Sequence, residues 1–328
     1  SADEALKAEM DWVIQGVYEP GSIFKPFTCA WALEHGVVAA DTIIPMPIEI
    51  SWPGIEPIGD THLVGDGTVV RLIGESSNTG AAWLAHVLGA KRMTALWLRL
   101  GLGRPTGIGF ANEGPSKAYL KRWTTEWQRT QPGPVWPDWL SHRAAYGQGF
   151  SMTPMQMAAC YCAFARNDAR VVKPRVVLDG RLHDPRGGRV CHRRHLAVLR
   201  AGLESCVREG TARSAFQDAI YPAAGKTGTS LQRFRPAPKQ PIMETNICTF
   251  VGYAPAHDPQ VVALVLAMVP RGTGSGGSVS APAVRSVFDR TLGYWQVDPV
   301  PPSPKAEPGT RGGPLLSPAA HPVMRGRR

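Results

Sequence analysis

The stretch Gly21-Ser22-Ile23-Phe24-Lys25-Pro26-Phe27 decides how the rest of this chain is read. Ser22 and Lys25 stand three apart, so on a helix they share a face and the lysine amine reaches the serine hydroxyl. Alone the spacing says little: at average usage a Ser-x-x-Lys arises by chance roughly once in every one or two chains of this length. Its surroundings say more. Gly21-Ser22 opens an apolar segment, Ile23, Phe24, Phe27, Ala30, Trp31 and Leu33, that ends at Gly36. Serine at a helix start and glycine just past its end are capping signals. Pro26 is tolerated because in the first turn its missing N–H has no helical partner. A helix apolar nearly all round belongs in the middle of a protein. Ser22 is therefore expected at the N-terminal end of a central helix, with its hydroxyl facing a cleft.

Two later motifs supply what a serine nucleophile needs. Ser76-Ser77-Asn78 precedes an expected helix, and its plain alternative is a helix cap. In the functional reading the Ser76 hydroxyl sits in the same cleft and relays a proton toward a leaving amine, while the Asn78 amide holds a substrate carbonyl. Lys226-Thr227-Gly228-Thr229 falls in an expected strand, where Lys226 and Gly228 face one way and Thr227 and Thr229 the other. Its plain alternative is a turn with a stray lysine. Glycine in a strand often marks the close approach of another backbone, here a substrate peptide added to the strand edge, with the hydroxyls and Lys226 holding a carboxylate. A serine hydroxyl needs a base beside it. Lys25 serves only if its amine is neutral part of the time, and burial or a second cation such as Lys226 lowers its pKa. The helix N-terminus favours developing negative charge.

The 328 residues suit one or two domains. Hydrophobic content of 43% and charged content of 19% describe a globular protein. The longest apolar run, Val261 to Val269, is far short of the roughly 20 residues of a membrane helix and reads as a buried strand. A net charge of +10 suits anionic surroundings. The basic residues are dispersed apart from Cys191-His192-Arg193-Arg194-His195 and Arg325-Gly326-Arg327-Arg328, and no nucleic-acid motif accompanies them, so they read as solvated surface. The start, Ser1-Ala2-Asp3-Glu4, shows no signal-peptide pattern. The six cysteines show no zinc-type pairing. Cys191 with Cys206 leaves one disulfide open, and buried free thiols are the expectation.

Residues 37 to 75, rich in Pro, Gly and Asp, read as loops with short strands. Helices are expected at Thr79 to Leu88, Lys91 to Leu100, Thr153 to Arg166 and Arg194 to Arg208, with Gly89 and Gly101 as stops for the first two. Lys121 to Leu140, with four tryptophans among prolines, reads as a long surface excursion. Residues 223–229, Asn246 to Tyr253 and Gln260 to Val269 read as antiparallel strands, followed by a helix from Ala281 to Leu292. The last residues, 298–328, form a Pro/Gly-rich tail expected to be disordered.

The ordered set Ser-x-x-Lys, Ser-x-Asn, Lys-Thr-Gly marks penicillin-recognising acyl-serine enzymes. Around it, Tyr18-Glu19-Pro20-Gly21-Ser22, Leu100-Gly101-Leu102-Gly103 with Thr106-Gly107-Ile108, Gly147-Gln148-Gly149 with Thr153-Pro154-Met155-Gln156, Phe250 to Pro255, and Gly276-Gly277 before Ala281-Pro282 resemble the transpeptidase domain of class B penicillin-binding proteins, especially the division-type enzymes. The resemblance spans roughly residues 17–296. It implies a mixed α/β (α+β) fold of the serine β-lactamase and penicillin-binding-protein type: an antiparallel sheet flanked by helices, plus a mostly helical subdomain. The catalytic domain would run over 22–297. Carried onto matching positions, Ser22 attacks the D-Ala-D-Ala bond of a stem peptide, Lys25 is the base, Ser76 the shuttle and Lys226 part of the catalytic group. Asn78, Thr227, Gly228 and Thr229 bind substrate, and the N–H groups of Ser22 and Thr229 form an oxyanion hole. No metal or organic cofactor is implied. The implied partners are peptidoglycan stem peptides and β-lactams, a glycosyltransferase and other division proteins, at the periplasmic face of the inner membrane, without nucleic acid.

In the family two strands of the sheet precede the nucleophile, whereas 21 residues stand here. Residues 1–21 therefore read as an N-terminal remnant, with the strands, the membrane anchor and a non-catalytic module missing and a sheet edge left unsatisfied. Three alternatives share the motifs: a serine β-lactamase, a β-lactam sensor, and an inactive truncated relic that only binds partners. The Glu-x-x-Leu-Asn segment of class A β-lactamases does not occur.

Overall fold

The computed structural model describes residues 11–110, 113, 137–176, 186–234 and 243–299. Tail residues 300–328 and residues 121–136 of the Trp-rich segment lie outside them.

The chain enters through a 3-10 turn, Gly21–Phe24, that runs directly into α1, Lys25–Glu34. A hairpin follows, β1 (Glu49–Trp52) with β2 (Ile55–Gly59), then α2 (Val69–Glu75), α3 (Asn78–Leu88) and α4 (Ala90–Arg99). Next come α5 (Asp138–Ala144), α6 (Pro154–Ala165) and the short pair β3 (Arg170–Val172) and β4 (Arg186–Arg189). The C-terminal half holds α7 (Leu196–Arg208), α8 (Arg213–Phe216), β5 (Ala224–Phe234), β6 (Met243–Ala254), β7 (Val261–Pro270) and α9 (Ala281–Tyr294). Strands β5, β6 and β7 form an antiparallel sheet in that order.

The two-residue period of the strands divides the core into two layers. Ile247, Val251 and Tyr253 of β6 face the larger cluster, built around α1 and α6, with Leu264 and Leu266 of β7 beside them. Phe250 and Ala254 turn the other way onto Phe216, Val284, Phe288 and Leu292 of α8 and α9. This is the expected mixed fold. Every residue of α1 from Lys25 to Leu33 is buried. Phe27 makes edge and tilted contacts with Phe24, Tyr161 and Phe164.

Four expectations are corrected. Ser22 does not cap α1; it sits in the 3-10 turn before it and makes no capping bond. Val261 to Val269 is half-buried rather than buried, because β6 is its only strand neighbour among the described residues. Residues 69–75, within the expected loop region, form a helix: Val69, Leu72 and Ile73 carry helical spacing, but seven residues with Gly74 inside make too short a pattern to stand out. Gly74 is there because α7 lies close, and a Cβ would fall 3.1 Å from Ser205 Cβ. Pro137 to Leu140 enters α5 rather than ending a surface excursion, and Leu140 is buried. All six cysteines are free, so Cys191 and Cys206 do not bridge.

Candidate active site

A cleft of about 500 Å³ opens where the turn before α1, the α2–α3 junction and β5 meet. Ser22, Ser76, Asn78, Thr227 and Thr229 line it. Lys25, fully buried, lies under its floor with Nζ 2.9 Å from Ser22 Oγ and 3.1 Å from Ser76 Oγ. It also donates to the Ser76 carbonyl. A neutral amine has two N–H donors and one lone pair. In the charged form the amine donates to Ser22 Oγ and to both oxygens of Ser76; in the neutral form, donation to the carbonyl and hydroxyl of Ser76 leaves the lone pair for the Ser22 O–H. Burial, and secondly the charge of Lys226, hold the Lys25 pKa well below the ordinary lysine value, with Asp60 pulling weakly the other way. The position of the amine and the direction of its pKa shift agree: both favour its accepting a proton from Ser22.

Two backbone devices set that geometry. Ser76 follows α2 as its cap in the left-handed conformation, φ 67°, a state costing a non-glycine residue roughly 1–2 kcal/mol. The sharp turn it makes between α2 and α3 aims both its carbonyl and its hydroxyl at Lys25. Ser77, not Ser76, is the cap of α3 and accepts from Gly80 N at 3.0 Å. The second device is Gly147, φ 84°, whose carbonyl accepts Gly21 N–H at 2.9 Å. A Cβ on Gly147 would fall on the Gly21 carbonyl, so this glycine permits backbone-on-backbone packing behind Ser22. Tyr161 Oη donates to Ile23 O at 2.7 Å and pins the same turn from the core.

On β5 the alternation holds. Thr227 and Thr229 face the cleft, whereas Lys226 is wholly buried and turns back to Thr227, donating to its carbonyl at 3.1 Å with its hydroxyl at 3.4 Å. Burial lowers the Lys226 pKa as well. Lys226 thus reaches the cleft through Thr227 rather than by lining it. The close approach expected at Gly228 is made by the chain itself: a Cβ there would lie 3.0 Å from Pro20 O and from Ile23 Cγ2. Gly228 admits the turn that carries Ser22. Asn78 Nδ2 donates to Gly59 O at 2.9 Å, leaving its second N–H and its carbonyl for the cleft.

Asp60, which follows β2, belongs to the site although no motif marks it. Its carboxylate accepts from Ser77 Oγ at 2.6 Å, Thr79 Oγ1 at 2.9 Å and the Asn78 N–H, so one side chain gathers the whole start of α3. A single aspartate in a loop carries no periodic or spacing signal. Thr211, His62, Glu75 and Ser275 also line the cleft, and Thr211 Oγ1 bonds the Thr227 hydroxyl.

The family pattern described as the penicillin binding protein transpeptidase domain matches residues 3–289. This chain belongs to that family, as its motifs implied. Penicillin-binding protein PbpB of Mycolicibacterium smegmatis is 31% identical over 311 residues, 88% of this chain and 46% of that protein. Stage V sporulation protein D of Bacillus subtilis is 30% identical over 305 residues, 87% and 44% respectively. The chain thus spans about half the length of these curated relatives. Among solved structures, the apo transpeptidase (TP) domain of Burkholderia pseudomallei penicillin-binding protein 3 superposes with a TM-score of 0.73 at 28% identity, covering 89% of this chain and 84% of that one. No helix among the described residues is long and apolar enough to cross a membrane. Members of the family make peptidoglycan outside the cytoplasmic membrane.

Proposed function

We propose that this chain is the acyl-transfer domain of a peptidoglycan D,D-transpeptidase, with Ser22 as nucleophile and Lys25 as its base. The observation that carries the reading is the position of the buried Lys25 amine, within hydrogen-bond reach of both Ser22 Oγ and Ser76 Oγ. Lys25 takes the Ser22 proton as Oγ attacks the carbonyl of the D-Ala-D-Ala bond. The backbone N–H groups of Ser22 and Thr229 stabilise the oxyanion, worth a few kcal/mol per donor. Ser76 returns the proton to the departing D-alanine. Thr227 and Thr229 hold the substrate carboxylate with Lys226 behind them, and Asn78 holds the stem-peptide amide. An amine of a second stem peptide then takes the acyl group.

A penicillin presents the same carbonyl and carboxylate and acylates Ser22. The whole protein would act at the periplasmic face beside a glycosyltransferase, in division. The test is intact-mass analysis after a fluorescent penicillin, with Ser22→Ala as control. A stoichiometric adduct on wild type alone is expected; rapid nitrocefin turnover would make the chain a β-lactamase instead, and no adduct on either would make it an inactive relic.

A further inference from the structure

The walls of the cleft are chemically unequal. The β5 side offers hydroxyls, from Thr211, Thr227, Thr229 and Ser275. Asp60, His62 and Glu75 also line the cleft, Glu75 next in sequence to Ser76. Asp60 is occupied by Ser77, Asn78 and Thr79. His62 Nδ1 meets only the exposed hydroxyl of its neighbour Thr61, at 3.3 Å. His62 and Glu75 face each other with Nε2 and Oε2 3.6 Å apart, their side chains 52% and 43% exposed. A pair so exposed contributes less than about 1 kcal/mol to folding. Yet its position is specific: Glu75 ends α2, one residue before the strained Ser76 whose hydroxyl meets Lys25.

Acyl transfer to an amine needs a second subsite that a hydrolase does not. Resting on the reading that Ser22 is the acylated nucleophile, we propose that Glu75 and His62 form the acceptor subsite, and that it takes an α-amino-acid centre: a primary amine with a free carboxylate on the adjacent carbon. Glu75 attracts the ammonium and His62 donates to the carboxylate, so neighbouring charges on the acceptor meet neighbouring counter-groups on the wall. The ammonium loses one proton to solvent. Its nitrogen then bonds to the acyl carbon as the ester bond to Ser22 Oγ breaks, and a second proton passes through Lys25 to that oxygen. A plain alkylamine uses Glu75 alone.

The test is partition of one acyl-enzyme. A D-alanyl thioester donor is turned over by the full chain with D-alanine or with ethylamine, and the ratio of aminolysis to hydrolysis is read by mass spectrometry. Because both products leave the same intermediate, slower acylation in a variant cancels. Wild type should favour D-alanine over ethylamine. His62→Gln should bring the D-alanine ratio down toward that of ethylamine, and Glu75→Gln should lower both about fivefold, the effect of losing one exposed charge contact. Glu75→Lys should lower them further. Unchanged ratios, or no preference in wild type, would overturn the subsite alone. Loss of penicillin labelling in Glu75→Gln would overturn it too, by moving the residue into the first half-reaction. No label on wild type would overturn the Ser22 assignment and the subsite together.

Discussion

Replacing Asp60 by asparagine separates two jobs that one carboxylate performs. Its oxygens accept three hydrogen bonds at the start of α3, and its charge raises the pKa of Lys25 against the larger effects of burial and Lys226. Asparagine keeps the shape but offers one acceptor oxygen, so its NH₂ must face a group that now donates to Asp60. One mispaired contact in a part-buried setting costs about 1–3 kcal/mol. In a domain of this size that lowers Tm by roughly 2–4 °C per kcal/mol. The electrostatic change has a definite sign. Without the negative charge, protonated Lys25 loses a favourable partner, its pKa falls further, and the amine stays neutral to lower pH. Penicillin acylation, followed by stopped flow between pH 5 and 9, should therefore show a smaller maximum with its acid limb displaced to lower pH. An acid limb that is unmoved, or moves to higher pH, would refute both the role of Lys25 as base and the influence of Asp60 on it.

Two further outcomes follow from the same geometry. Lys25→Met should cut acylation by about 10²–10⁴, the range lost with a general base, and should also flatten the pH dependence of stability. The folded-state pKa of this lysine is depressed, so between that value and the unfolded value the unfolded chain binds more protons and stability rises with pH. Urea melts at pH 7 and 9.5 should show a smaller rise in the variant, and an equal rise would mean the amine is not buried. Gly147→Ala combines a positive φ with collision against the Gly21 carbonyl. It should lower both Tm and the acylation rate, and a variant with normal labelling would show that the backbone contact does not hold the nucleophile turn.

Several parts of this molecule could be read locally because their cause is local. Ser22 and Lys25 are brought together by one turn of chain. The helices α3, α4, α6 and α9 and the strands β5, β6 and β7 lie within a few residues of expectation, because apolar periodicity and the glycine and proline stops belong to each segment alone. Helix α2 escaped because seven residues carry too little periodicity, and its Gly74 answers to α7 across the core. Gly228 illustrates the same division. Its type implies a close approach, and the structure supplies the neighbours, Pro20 and Ile23.

What sequence determined by itself, then, was the order and type of the reacting groups and the period of the elements that carry them. Tertiary structure decided the chemistry those groups can do. Burial and Lys226 depress the pKa of Lys25, and Ser76, 51 residues later, takes two of its hydrogen bonds and fixes the amine beside Ser22. Asp60 became visible only when folding brought it to Ser77, Asn78 and Thr79. Dielectric surroundings and hydrogen-bond partners are properties of space, and residues distant along the chain create them.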